Sequence, residues 1–424
     1  MIFNYFLSVL FSFSFYSSSD SALNDDVKEN HGGTVLATED WVSTEWLKED
    51  LKLGQVGGIT VDKNDIIYIF HRADRRWSGG TFNNDNVFQD QEQAPINVST
   101  IIMVDKKGSV VKKLGEHMFY MPHGITVDHD LNIWVTDVAL HQAMKFKPHS
   151  NDAVLIKGTR FIPGRDSSHF CKPSSIAVLK NGDFFVADGY CNSRIVKFDL
   201  NGKKILEWGR STIYPQMRQP QPGEFLIPHA LTLTTDESLL CVADRQNGRV
   251  QCFDPASGNY SNVLSHMQSI GRTVYSVAYS NYKGGSFVMV NGPKSWNPRP
   301  QGVVVSKSGT ILHHFGSTKL RAPHDVAVSS NGDTIYVAEI TTDGTQAWKF
   351  IPITSGNFPA SNAVSDDISK LKNQSEDKGL AGAILITSAC LIFSVAIVFS
   401  AFVYRRSRTQ IAKDTVSLLP HSEL

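Results

Sequence analysis

The chain has 424 residues, with 41 Lys and Arg against 41 Asp and Glu and no formal net charge; that balance lacks the basic footprint with which a nucleic-acid binder releases counterions, so no nucleic-acid partner is expected. Apolar residues make up 41% and aromatic residues 10%, enough for a sizeable core, which excludes wholesale disorder. Charged residues at 19% exclude a long coiled coil, and 31 Gly with 17 Pro are near average use, which excludes collagen-like and low-complexity chains.

In chain order, the first predicted element is an apolar, aromatic run over residues 2–16, followed by Ser17, Ser18, Ser19 and Ala22. It reads as a secretory signal peptide over residues 1–22, although the usual positive leading segment is missing; a buried N-terminal strand is the alternative. Residues 23–353 then carry a repeated phrase. Five copies are Gln55-Val-Gly-Gly-Ile-Thr-Val61, Pro122-His-Gly-Ile-Thr-Val127, Pro173-Ser-Ser-Ile-Ala-Val178, Pro228-His-Ala-Leu-Thr-Leu233 and Pro323-His-Asp-Val-Ala-Val328. The gap between the last two is about twice the others and holds a degenerate sixth copy, Thr273-Val-Tyr-Ser-Val-Ala-Tyr279. The period is roughly 45–65 residues, the spacing of a propeller blade.

Each copy continues alike. A turn rich in Asn, Asp or Gly follows the phrase, then a second β-rich run at 66–71, 132–137, 184–188, 239–244, 286–291 and 334–339. Most units show a third run, as in Arg194-Ile-Val-Lys-Phe198, Arg249-Val-Gln-Cys-Phe253 and Ala347-Trp-Lys-Phe350. A Gly turn and a fourth strand close several of them, such as Asn201-Gly-Lys-Lys-Ile-Leu-Glu-Trp208. Short runs divided by turn residues, four to a repeat and six repeats, predict an all-β protein: a six-bladed β-propeller with an N-terminal signal peptide and one C-terminal transmembrane helix. Two stacked β-sandwiches would not explain a sixfold phrase. Residues 40–53 are expected to supply the strand that closes the ring.

After Ile353 the pattern stops, and residues 354–378 read as a flexible, polar stalk. Residues 380–404 form an apolar run of about 25 residues without a charge, long enough to span a bilayer. Arg405, Arg406 and Arg408 follow at once and place residues 405–424 in the cytosol. The expected protein is a single-pass type I membrane protein of the secretory pathway, with its propeller in the lumen or outside the cell. Asn97, Asn259 and Asn373 lie in N-x-S sequons, which fits glycosylation there. Asp414-Thr-Val-Ser-Leu-Leu419, with Leu418 and Leu419 as its leucine pair, fits an acidic-dileucine sorting pattern. Of five cysteines, Cys390 falls in the membrane run; the others, Cys171, Cys191, Cys241 and Cys252, allow three pairings. Spacing favours the local pairs Cys171–Cys191 and Cys241–Cys252, with four buried thiols as the alternative.

The first strand of a propeller blade faces the central channel, so the residue after Pro in each copy is expected near the axis. In the second, fourth and sixth units it is His123, His229 and His324; the others carry Gly57, Ser174 and Tyr275. Alternate blades of a sixfold ring lie about 120° apart, so three imidazoles can converge on one ion and leave a fourth position open, the arrangement of catalytic zinc. The alternative is that Pro-His is a turn dipeptide whose imidazoles cap strand ends. At the end of the second strand stand His71-Arg72, Asp137, Asp188-Gly-Tyr190 and Asp244-Arg245. The recurring carboxylates read as structural. Arg72, Tyr190 and Arg245 do not recur and are the functional candidates: Arg holds carboxylates bidentately, and a neighbouring cation favours the phenolate of Tyr.

Phe119-Tyr-Met-Pro-His-Gly124, Trp134-Val-Thr-Asp-Val-Ala-Leu-His141, Phe170-Cys-Lys-Pro173, Val186-Ala-Asp-Gly-Tyr-Cys-Asn-Ser-Arg-Ile195 and Val242-Ala-Asp-Arg-Gln-Asn-Gly-Arg249 strongly resemble peptidyl-α-hydroxyglycine α-amidating lyase, over residues 54–350. The resemblance implies a six-bladed propeller with zinc on His123, His229 and His324, and a structural calcium on the carbonyls of Ile59 and Ile125 and the carboxylate of Asp325. It implies an active-site Arg72, Tyr190 and Arg245, and the disulfides Cys171–Cys191 and Cys241–Cys252. The implied reaction splits peptidyl-α-hydroxyglycine into a peptide amide and glyoxylate. Tyr190 would be the general base, with Arg72 lowering its pKa and Arg245 orienting the carboxylate. Ala322 departs from the family, which carries Met before that Pro-His. With no copper domain in the chain, the expected partner is a separate copper monooxygenase that supplies the hydroxylated peptide, and the lyase itself is expected to be a monomer. A non-enzymatic NHL scaffold and a lactonase-type propeller are the rivals; the first makes no demand for His on alternate repeats, and the second would present carboxylate and Asn ligands instead.

Overall fold

The repeated phrase opens the innermost strand of each of six four-stranded antiparallel sheets. The computed structural model describes residues 41–353, apart from 45, 49–50, 214–217, 265–269 and 293–298. The inner strands are Val56–Val61, Pro122–Val127, Ser175–Val178, Pro228–Leu233, Ser276–Ser280 and Pro323–Val328. They pack side by side around a central channel. The third and fifth begin two residues after the matching Pro173 and Val274, although Ser174 and Tyr275 still donate their backbone N–H to Ala187 and Val290 of the second strands.

The hairpins follow from the turn residues. Asp62 Oδ1 accepts the backbone N–H of Asn64 (2.8 Å) and Ile66 (2.9 Å), and Asp128 Oδ1 accepts those of Asp130 and Asn132. These side-chain bonds replace backbone partners the turning chain cannot supply. Between third and fourth strands, Asp105 and Asp199 do the same, with Gly108 and Gly202 at φ +83° and +82°, a left-handed conformation that suits Gly.

The second strands, such as Ile133–Asp137 and Phe184–Asp188, are buried along their whole length. Each lies inside a blade whose two faces pack on neighbouring blades, so apolar residues need not alternate with polar ones. Outer strands do alternate toward solvent, as in Ala153–Lys157, where Val154 and Ile156 are exposed. Apolar clusters occupy all six blade junctions; one joins Phe70 and Met103 to Ile133 and Val135, and another joins Phe185 and Ile195 to Leu240 and Val242.

The ring closes as expected from residues 40–53. Trp41–Thr44 adds to the last blade against Ala347–Pro352, with Trp41 opposite Pro352 and Thr44 opposite Lys349. Trp41 is fully buried there, edge-on to Tyr282. The four cysteines pair as Cys171–Cys191 and Cys241–Cys252, the second directly across two adjacent strands. Asn97 and Asn259 are exposed. The segments expected to form the signal peptide (1–22), stalk (354–378), membrane span (380–404) and cytosolic tail (405–424), with Asn373, Asp414, Leu418 and Leu419, lie outside the described residues. Among the described residues no helix is long and apolar enough to cross a membrane.

Candidate active site

The pairing register slips at each channel histidine: between Pro122 and Ile125, Pro228 and Ala230, and Pro323 and Asp325. Such a bulge takes one residue out of the ladder and re-aims its side chain. His123, His229 and His324 therefore turn inward together. Their ring centroids lie 4.7–4.9 Å apart, and one nitrogen from each falls within 4.8 Å of the other two.

The intervening blades fix the imidazole tautomers. His123 Nδ1 lies 2.8 Å from the carbonyl of Ser174, His229 Nδ1 2.6 Å from that of Tyr275, and His324 Nδ1 2.8 Å from that of Gly57. A carbonyl only accepts, so each Nδ1 carries the proton and each Nε2 presents its lone pair. Even blades supply imidazoles and odd blades supply the carbonyls that orient them. Burial first holds all three histidines well below the ordinary imidazole pKa; the neighbouring histidines then lower His123 and His229 further, and Arg72 and Arg245 lower His324. They are neutral, as metal ligands must be.

Tyr190 closes over this centre. Its hydroxyl is 2.9 Å from His123 Nε2 and 3.0 Å from His229 Nε2. The loop that carries it is fastened on both sides: Cys191 is bonded to Cys171, and Asp188 accepts the N–H of Cys171 and pairs with Arg194 Nε at 2.9 Å. The recurring carboxylates do prove structural. Asp137 accepts the N–H groups of Tyr120 and Met121, Asp244 that of Leu226, and Glu339 those of Arg321 and Ala322, each anchoring the segment that leads into an inner strand.

The two candidate arginines flank Tyr190 differently. Arg245 Nη1 donates to the Tyr190 hydroxyl at 3.3 Å, and its Nη2 donates to the Tyr275 hydroxyl at 2.8 Å. Arg72, 2% exposed, donates from Nε to the Pro122 carbonyl and from Nη1 to Gln55 Oε1, while its buried Nη2 has no partner. Burial lowers Arg72 to about 10, still cationic at neutral pH. Burial pushes the Tyr190 phenol up, against Arg245 first and Arg72 second, which pull it down.

Below the histidines runs a channel of about 320 Å³, walled by the inner strands. Asp325 lies in it. Its Oδ2 accepts the N–H of Ile59 at 2.9 Å and its Oδ1 the Ser276 hydroxyl at 2.6 Å; burial raises it to about 6. Ile59 and Ile125 line the same channel. Ala322 is half-buried just before Pro323.

Sequence reasoning missed three side chains here. Trp77, on the excursion of residues 72–100, has its ring centroid 4.7 Å from that of Tyr190 and 6.2 Å from that of His123. Gln55 opens the first phrase yet holds Arg72. Tyr275 is a side-chain partner of Arg245, a role its degenerate phrase did not announce.

A family model for the NHL repeat matches residues 170–198. Peptidyl-alpha-hydroxyglycine alpha-amidating lyase 2 of Drosophila melanogaster is 43% identical over 319 residues, 72% of this chain and 74% of that protein. Lyase 1 of the same organism is 44% identical over 309 residues, 70% of this chain and 57% of its own length. Peptidyl-glycine alpha-amidating monooxygenase A of Xenopus laevis is 42% identical over 316 residues, 73% of this chain, and the chain spans only 33% of that longer protein. An identity of 43% sustained across nearly three quarters of both chains goes beyond a shared propeller: the chain belongs to the peptidyl-α-hydroxyglycine α-amidating lyase family.

Proposed function

We propose that this chain is a zinc-dependent peptidylamidoglycolate lyase, which splits peptidyl-α-hydroxyglycine into a peptide amide and glyoxylate. The observation that carries the reading is the Tyr190 hydroxyl within 3.0 Å of two Nε2 atoms of a three-His centre, with a guanidinium beside it. The donor set suits zinc. Three neutral imidazoles, each with Nδ1–H engaged by a carbonyl, leave a position for an oxygen ligand. Zinc held by His123, His229 and His324 would supply Lewis acidity that lowers the pKa of a hydroxyl.

The remaining chemistry belongs to the chain. Tyr190, as phenolate, takes the proton of the substrate hydroxyl. The electron pair left on oxygen forms the aldehyde C=O of glyoxylate as the C–N bond breaks. The departing amide nitrogen takes a proton back from Tyr190, so no co-reactant is needed. Arg245, in contact with the phenol, favours its ionised form. Arg72, with a buried free N–H, holds the carboxylate. These contacts favour exchanging the two roles expected from the sequence, where Arg72 served the phenol and Arg245 the carboxylate. Both guanidiniums are otherwise held by neutral groups, which suits an anionic substrate.

Calcium is proposed at Asp325 with the carbonyls of Ile59 and Ile125, an all-oxygen set of the kind that ion prefers. It would neutralise a buried carboxylate that lacks a cationic partner in its hydrogen bonds. The apolar runs at residues 2–16 and 380–404 support a type I membrane protein of the secretory pathway, in the secretory granule, the Golgi or at the cell surface, with the propeller lumenal or extracellular. The exposure of Asn97 and Asn259 suits glycosylation there. A separate copper monooxygenase would supply the substrate, and the lyase would act as a monomer. Assay of Tyr190→Phe tests the base: glyoxylate release should fall by on the order of 10²–10⁴ with zinc retained. Near-normal turnover would remove Tyr190 from the mechanism.

A further inference from the structure

We infer that Tyr275 is a positioning residue for this reaction, acting through Arg245. The inference rests on the lyase reading above. In the first and third blades the channel-facing position, Gly57 or Ser174, gives only its backbone carbonyl to a channel histidine and makes no hydrogen bond to the arginines. Tyr275 gives its carbonyl to His229 in the same way, at 2.6 Å, and adds a side chain. Its hydroxyl accepts Arg245 Nη2 at 2.8 Å, and the guanidinium carbon sits 4.0 Å from its ring centroid. The other arm of Arg245, Nη1, reaches the Tyr190 hydroxyl. One planar fork thus spans two phenols, the base on one side and Tyr275 on the other. Arg245 Nε has no partner, so the two phenols define where the guanidinium lies.

The fold makes room for this ring. Tyr275 is 6% exposed, and a Cβ added at Gly292 would collide with its ring carbons. Its ring centroid is 5.5 Å from that of His229 and 5.9 Å from that of His324, so it packs on two ligands while it holds the arginine. An Arg on a long stem keeps one pose only where partners fix it. Tyr190 offers a 3.3 Å bond and a ring face 5.7 Å away; Tyr275 supplies the shorter bond, at 2.8 Å, and the closer face, at 4.0 Å.

The test is a double-mutant cycle on the full, zinc-loaded chain with a peptidyl-α-hydroxyglycine and glyoxylate detection. Tyr275→Phe keeps the ring and the carbonyl, so zinc content should not change. Its kcat should fall about tenfold with KM within twofold. In an Arg245→Ala background the same change should cost nothing further. A residue that merely shores up the blade would lower both backgrounds alike, and such additive losses overturn the inference, as does an unchanged kcat. If Tyr275→Phe loses zinc or fails to fold, Arg245→Lys, a cation that cannot bridge both phenols, must itself lower kcat about tenfold, and a wild-type rate there overturns the inference. A wild-type protein that releases no glyoxylate would fell the lyase reading itself, an outcome distinct from additive losses in an active enzyme.

Discussion

Each channel histidine has its Nδ1–H committed to a carbonyl one blade away, which leaves Nε2 as the only ligand atom it can offer. Because burial first, and then neighbouring charge, depress all three imidazoles, protons compete with a metal only in acid. A depressed pKa favours the neutral, ligating form, so zinc should stay bound as pH falls through the ordinary imidazole value of about 6.5. Zinc content after dialysis at successive pH values checks this, and half-loss at or above that pH would contradict it. Arg72→Lys keeps a cation but loses the fork whose free Nη2 is assigned to the carboxylate. KM should rise about tenfold or more, with kcat less affected. At this scale the sequence was informative about the imidazoles, since a Pro-His recurring on alternate repeats has a visible side chain. It was silent on the carbonyls of Gly57, Ser174 and Tyr275, because a backbone ligand leaves no residue type behind. It also missed Trp77, whose contact with Tyr190 joins segments far apart in the chain.

The blade is the element that turns a phrase into a site. Four of the six inner strands slip register at the channel-facing position of the phrase, the first at Gly57 and three at histidines, and the other two start beyond it. Those slips were not legible, since a bulge depends on pairing and not on composition. The strands themselves were, because turn residues such as Asp62, Asp128 and Asp199 stand where the chain reverses. The closing strand is held largely by Trp41, which sits against the apolar groups of the last two blades. Trp41→Ala leaves a cavity where the propeller's first and last strands pair, and should cost about 3–5 kcal/mol of stability. Denaturant unfolding measures it; a change under about 1 kcal/mol would mean that closure rests on the backbone ladder instead.

At the largest scale, residues 41–353 form a ring whose sixfold repeat was readable because every blade restates one phrase, while its axis combines parts from all six blades. No single repeat holds the site: imidazoles come from three blades, orienting carbonyls from the other three, and the phenol and guanidiniums from loops on the first, third and fourth. The central claim is that this axis is a metal-dependent lyase. The direct test is to incubate the purified full chain with a peptidyl-α-hydroxyglycine and measure glyoxylate, before and after a zinc chelator and again after zinc is returned. The account predicts glyoxylate release that chelation abolishes and zinc restores. Release that survives complete removal of the metal, or none from a folded, zinc-loaded protein, would contradict it.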